Sequence, residues 1–262
     1  MRRIVVLNPK GGSGKTTVAT NLASHFAVRG EHPVLMDYDA QGSSSHWARM
    51  RHEGQAQVQL ISVFERNALA TRTFQLKLPE NASRVIIDTP AAVEAHDMPA
   101  LTQIADKILV PVLPSDIDTH ACSRCVQNLL LVAKVRRREN RLGIIANRVR
   151  RNTLSSQSLL RFLDTLGVPI VATLRDSQNY VRAAAQGLGL EEMNRSQVLD
   201  DLPQWQSLFD WLEEPSTRVD DSDASDASDS SDSSEASEAS DAGNAGNVGD
   251  MPADAALQLG SR

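Results

Sequence analysis

The sequence predicts an α/β fold: a doubly wound, mostly parallel sheet flanked by helices, followed by a disordered acidic C-terminal tail. Three observations carry this. Short apolar runs recur along the first two-thirds of the 262-residue chain, separated by stretches of helical character. The first run enters a glycine-rich turn and then a helix. The composition changes near Val219 to Asp, Ser, Ala and Gly with no aromatic residue.

The predicted strands are residues 4–7, 34–37, 58–62, 85–88, 108–112, 143–147 and 169–172. Several close on a polar or charged residue, and ligands in such sheets bind at the carboxyl ends of strands. A helix is expected over about 16–28, and another after Asp118. Residues 202–214 carry Leu202, Trp205, Leu208, Phe209 and Leu212 at helical spacing. The globular part is therefore 1–218. Residues 219–262, with imperfect Asp-Ala-Ser repeats, lack the apolar surface to offset their ordering entropy.

Charge divides the same way. The tail holds eleven of the 33 acidic residues but only one of the 27 basic ones, Arg262, leaving 22 acids against 26 bases before it. A mildly basic domain with an acidic tail points to an anionic partner and a solvated end. No stretch reads as a membrane span, and the chain starts on a strand rather than a signal peptide. Two cysteines make no disulfide framework. The expected location is cytoplasmic.

The chemistry begins at Lys10-Gly11-Gly12-Ser13-Gly14-Lys15-Thr16-Thr17. Gly14-Lys15-Thr16 fill the last three positions of a phosphate-binding P-loop, while Pro9 stands where its first glycine belongs. Glycines let backbone N–H groups approach phosphate oxygens. Lys15 would reach the β- and γ-phosphates, Thr16 would place its hydroxyl on Mg²⁺, and the positive end of the following helix points the same way. Asp37-Tyr38-Asp39-Ala40-Gln41-Gly42 follows the second strand. Val85-Ile86-Ile87-Asp88-Thr89-Pro90 is an apolar strand ending in a carboxylate suited to hold Mg²⁺ through water.

These motifs together resemble the ParA/MinD family of deviant Walker ATPases over about residues 1–195. The loop matches K-G-G-x-G-K-T-T, and the Asp-x-Asp-x-Gln-Gly and Asp-Thr-Pro segments match the two switches. The resemblance implies a P-loop fold of the deviant Walker type that binds ATP and Mg²⁺. Gly11, Gly12, Ser13, Gly14, Lys15, Thr16 and Thr17 would cradle the nucleotide, with Asn147 recognising adenine. Thr16, Asp39 and Asp88 would serve the metal. Lys10, Lys15 and Asp39 would be catalytic: Lys10 crosses an ATP-sandwich homodimer to the partner's phosphates, and Asp39 positions the attacking water. Residues 110–118 also resemble orphan, cargo-positioning ParA proteins. The implied activity is a slow ATPase, stimulated by a cargo-bound partner, that positions a plasmid, a chromosome region or an assembly such as a carboxysome or chemotaxis cluster.

ParA-type relatives bind DNA without sequence preference in the ATP state, which would make the protein nucleoid-associated. Lys134, Arg136, Arg137, Arg138, Arg141, Arg148, Arg150 and Arg151 are opposed only by Glu139, and Arg161, Arg175, Arg182 and Arg195 follow. Arginine suits phosphate contacts, although a solvated basic face looks alike in sequence. Arg148, Arg150, Arg151, Arg175 and Arg182 are the DNA-contact candidates. No helix-turn-helix precedes the loop, which argues against operator binding. The acidic tail is expected either to solubilise or to compete with DNA for the basic face.

The alternatives are a biosynthetic P-loop ligase or amidase and a MinD-like membrane-associated division regulator. No glutaminase domain follows to supply an amidase. The amphipathic 202–214 segment has an acidic polar face and no Lys or Arg between Ser196 and Thr217, so an anionic bilayer would repel it. Cys122-Ser123-Arg124-Cys125 lacks the second ligand pair of a zinc site. Trp47, Trp205 and Trp211 read as packing residues.

Overall fold

The computed structural model describes residues 1–64 and 78–217. The predicted acidic tail, 219–262, lies outside the described residues. Seven strands form one sheet: β1 Arg2–Val6, β2 Pro33–Asp37, β3 Gln59–Ser62, β4 Arg84–Asp88, β5 Lys107–Val112, β6 Leu142–Val149 and β7 Ile170–Arg175. Their order is β3-β2-β4-β1-β5-β6-β7, and every pairing is parallel. Among the described residues the α-helices are α1 Lys15–Val28, α2 Ser43–Met50, α3 Met98–Thr102, α4 Asp116–Leu131, α5 Leu154–Thr165, α6 Gln178–Ala184 and α7 Gln206–Glu213.

The near-continuous apolar strands follow from burial on both faces. In β1, Ile4 and Val6 pack with α1, Trp47 and α7, whereas Val5, together with Leu7 just beyond the strand, packs with residues of α4 and α5. The same alternation separates Leu35 and Ile86 from Val34, Val85 and Ile87. Two layers of helices result, one per face. The chain leaves β1 toward β2 on one side of the sheet, then crosses to β5 on the other side after β4. The loop after β1 thus sits at the topological switch point, where a ligand cleft is expected.

Local chemistry sets the ends of the elements. Ser115 caps α4 by accepting the Asp118 N–H, Thr153 caps α5 and Ser177 caps α6. β6 runs two residues beyond its predicted end because the register shifts after Ala146, which lets Val149 pair with Arg175 at the end of β7. The 202–214 segment is one amphipathic unit in two parts. Leu202–Trp205 is a 3₁₀ turn, with Pro203 in its first turn where no N–H is needed, and α7 continues from it.

The apolar face of that segment is used internally: Trp205, Leu208, Trp211 and Leu212 are buried in the core. Arg2 and Arg84 clasp Glu213 at 2.9 and 2.8 Å. Lys107 is buried with its Nζ 4.0 Å from the Trp211 ring centroid and 2.8 Å from the Asn140 carbonyl. Trp211 Nε1 donates to Asn140 Oδ1 at 2.7 Å. No described helix is long and apolar enough to cross a membrane.

Candidate functional site

The site is built on three adjacent strand ends. Across β1, β4 and β2, Val6 lies opposite Asp88 and Asp88 opposite Asp37. The loop leaves β1 through buried Asn8, whose Nδ2 donates to the Pro111 carbonyl at 2.7 Å and whose Oδ1 accepts the Lys10 N–H at 2.9 Å. Gly12 and Gly14 then take positive φ, +77° and +98°. Gly11 and Gly12 are exposed, and α1 starts immediately after Gly14. The glycine-rich loop thus leads directly into the N-terminus of α1, the kind of place where an anion is favoured.

Lys15 is buried and folds back so that its Nζ lies 3.3 Å from the Lys10 carbonyl. Burial lowers its pKa, while the carboxylates of Asp88 and Asp39 work against that shift. Thr16 Oγ1 donates to Asp88 Oδ2 at 2.8 Å. Asp88 is 1% exposed, and its Oδ1 has no hydrogen-bond partner. Burial pushes its pKa up to about 7, with the Thr16 hydroxyl opposing. A hydroxyl beside an orphaned, desolvated carboxylate is a hard oxygen donor set that fits Mg²⁺.

Asp37 is fully buried and holds the next turn together. It accepts the Asp39 N–H at 3.0 Å and the Ser45 N–H at 2.8 Å. Asp39 is half-buried, its Oδ1 accepting the Gln41 N–H at 3.0 Å and its carbonyl the Gly42 N–H at 2.8 Å. On the opposite flank, Asn147 is buried with its Nδ2 2.9 Å from the Ser13 carbonyl and its Oδ1 accepting the Arg148 N–H at 2.9 Å. In this state the Asn147 amide braces the phosphate loop.

Lys10 does not hang free in solvent. Its Nζ lies 2.6 Å from Asp118 Oδ2, and Asp118 is 3% exposed at the start of α4, where the Ser115 hydroxyl also donates to Oδ2. The front lysine is therefore held on its own chain.

The basic residues divide. Arg141 belongs to the interior, which corrects its reading as part of a basic surface. It pairs with buried Glu139 at 3.0 Å and donates to the Thr102 and Ala105 carbonyls, stapling α3 to β6. Arg137 is exposed and donates to the Leu166 carbonyl. Arg175 is held by Asp201 at 2.5 Å and Asp200 at 3.2 Å, and Arg150 by Asp176 at 2.7 Å. Arg148, Arg151 and Arg182 are exposed, and Arg148 has a positive φ of 51°. Cys122 and Cys125 are both buried on one face of α4, and burial pushes the Cys122 thiol up to about 12. Asn8, Asp37 and Asp118 are site residues whose roles the sequence did not assign. Their signals were present, since each lies inside or next to a segment already singled out.

The family description "CobQ/CobB/MinD/ParA nucleotide binding domain" matches residues 4–190. Maintenance of carboxysome distribution protein A of Gloeobacter kilaueensis is 32% identical over 191 residues, covering 72% of this chain and 83% of that protein. Among solved structures, apo McdA from Cyanothece superposes with a TM-score of 0.66 at 19% identity, over 81% of this chain and 99% of that one. A variant of Cyanothece McdA in complex with ATP gives 0.60 at 18% identity, over 84% and 99%.

Proposed function

The chain belongs to the CobQ/CobB/MinD/ParA nucleotide-binding family, and from that premise we propose that it is an ATP-dependent dimerising switch that positions or segregates a cargo on DNA. The observation that carries this reading is the front lysine. Lys10 stands at the mouth of a complete phosphate cradle, but its charge is turned away onto Asp118 and not onto the loop that Lys15 already serves. A lysine so placed gains a phosphate partner when a second copy closes over the site.

The steps follow from named groups. Gly11–Thr17 and Lys15 bind the triphosphate of ATP. Bound Mg²⁺ would neutralise charge on the β- and γ-phosphates, with Thr16 and Asp88 to hold it and Asp39 nearby. Asp39 orients the attacking water. Closure of two faces excludes solvent, so ATP favours the dimer by binding it preferentially, and loss of the γ-phosphate releases it. Exposed Arg148, Arg151 and Arg182 supply non-specific phosphate contacts to DNA, whereas Arg150 and Arg175 are held by their aspartates. The similarity to a carboxysome-distribution protein favours a protein assembly as the cargo, with a cargo-bound protein stimulating hydrolysis. The burial of Trp211, Leu208 and Leu212 favours this over a membrane-attached regulator.

The test is light scattering and DNA binding of the full chain with ATP or ADP, alongside Asp39→Ala. The expected result is a dimer with ATP, trapped on unrelated DNA duplexes in the variant, with affinity falling steeply as salt rises. A protein that stays monomeric with ATP, ignores DNA and turns over rapidly with a small acid substrate would be a ligase instead.

A further inference from the structure

Asp118 is the third residue of α4, a position where an acid has an ordinary role. In a capping pair the serine ahead of the helix takes the N–H of this third residue, and the acid reaches back to the N–H of the serine. Half of that pair is present: the Ser115 hydroxyl accepts the Asp118 N–H at 3.2 Å. The other half is not. The Ser115 N–H donates to the Leu113 carbonyl at 2.9 Å, and the Asp118 carboxylate turns to Lys10 instead, 2.6 Å away. Both donors to the carboxylate, Lys10 Nζ and the Ser115 hydroxyl, sit on Oδ2, while Oδ1 is buried without a partner.

Lys10 is held differently at its two ends. Its backbone is pinned, the N–H by Asn8 Oδ1 at 2.9 Å and the carbonyl by Lys15 Nζ at 3.3 Å. Its side chain is 31% exposed, against 4% for that of Asp118. Side-chain torsions alone therefore separate the bound ammonium from the open front of the loop. A carboxylate this deeply buried is costly to strip of its cation, so the pair biases Lys10 toward its own chain. A binding event that needs the released lysine is weakened by the fraction of molecules that hold it released.

We propose that Asp118 is a positioning residue for Lys10: it parks the lysine on its own chain and so sets the ATP concentration at which two copies close. The proposal rests on the reading of Lys10 as a lysine that reaches a second copy's phosphates. Closure then exchanges one ion pair for another, carboxylate for phosphate. ATP offers the γ-phosphate that wins this exchange, and ADP does not, so the parked state sharpens the distinction between the two nucleotides.

The experiment follows dimerisation of the full chain by light scattering across ATP and ADP titrations, with melting temperatures alongside. Asp118→Asn should lower the ATP midpoint for dimerisation about tenfold and narrow the gap between ATP and ADP. Ser115→Ala removes the cap of α4 but leaves the ion pair; it should lower the melting temperature and leave the midpoint unchanged or raised. The two variants thus separate parking from capping. An Asp118→Asn midpoint that is unchanged or raised, or one that falls equally in Ser115→Ala, would overturn the proposal. Should Asp118→Asn fail to fold, Asp118→Ser carries the same expectations. If neither wild type nor the Asp118 variant dimerises with ATP, the reading of Lys10 beneath the proposal falls, a distinct outcome.

Discussion

Gly14→Ala tests the contact between the phosphate loop and Asn147 quantitatively. Gly14 sits at φ 98° and ψ 20°, and a Cβ there would stand 2.1 Å from Asn147 Nδ2. The backbone contribution is about 1–2 kcal/mol for an L-residue forced to positive φ. The contact adds more, because Asn147 must swing away. It then gives up the 2.9 Å bonds to the Ser13 carbonyl and from the Arg148 N–H. Leaving buried groups unpaired costs about 1–3 kcal/mol. The sum, about 2–5 kcal/mol, is a large share of the 5–15 kcal/mol that stabilises an ordinary domain. Urea denaturation followed by tryptophan emission is suitable, since Trp47, Trp205 and Trp211 are all buried. Asn147→Ala alone should cost about 1–2 kcal/mol. The double variant should be less destabilised than the sum by at least about 1 kcal/mol, because removing the amide opens the space the new methyl needs. Additivity within about 0.5 kcal/mol would refute the reasoning and place Asn147 elsewhere.

Other perturbations follow from the same geometry. Lys10→Ala strips the cation from buried Asp118 and should lower the unfolding midpoint; adding Asp118→Asn should restore stability but not ATP-dependent dimerisation, as read by light scattering. Burial holds Lys107 at about 8, below its ordinary 10.5. Between those values the unfolded chain binds a proton that the folded chain does not, so this group makes stability rise with pH across that window. Denaturation at pH 7.5, 9 and 10 should show that rise in wild type relative to Lys107→Met, and parallel curves would refute it. Deleting residues 219–262 removes a net charge of −10 and should tighten DNA binding at low salt; unchanged affinity would leave the tail a solubiliser.

The sheet was legible because a strand buried on both faces has little room for polar residues. All seven strands fall where apolar runs predicted them, with no end moved by more than three residues. Those shifts have tertiary causes, such as the irregular register that extends β6. The loop and Asp88 stood out because their spacing specifies a strand, a turn and a helix, whereas the role expected of Asp39 came from the family resemblance. Their supports did not stand out. Asn8 acts through the Pro111 carbonyl, 103 residues away, and Asp118 through Lys10, and no local pattern encodes pairings of that range.

Arginine illustrates the same limit in its charge. In sequence, Arg141, Arg148, Arg150 and Arg175 are equal members of a basic cluster. In the fold, Arg141 is an internal staple, Arg150 and Arg175 are neutralised by aspartates 25 or 26 positions along the chain, and Arg148 is exposed. A DNA surface built from all of them would lose affinity roughly equally at each substitution. The geometry predicts inequality instead. Arg148, Arg151 and Arg182 are available at once, whereas Arg175 must first leave a carboxylate that is completely buried. Asp201 also accepts from Asn179 and Ser177, so withdrawing Arg175 would strand a desolvated anion. Stability, rather than DNA affinity, is therefore where Arg175→Ala should register first. On the DNA-binding proposal, the arginines that contact phosphate are to be sought among those whose partners the fold has not already supplied.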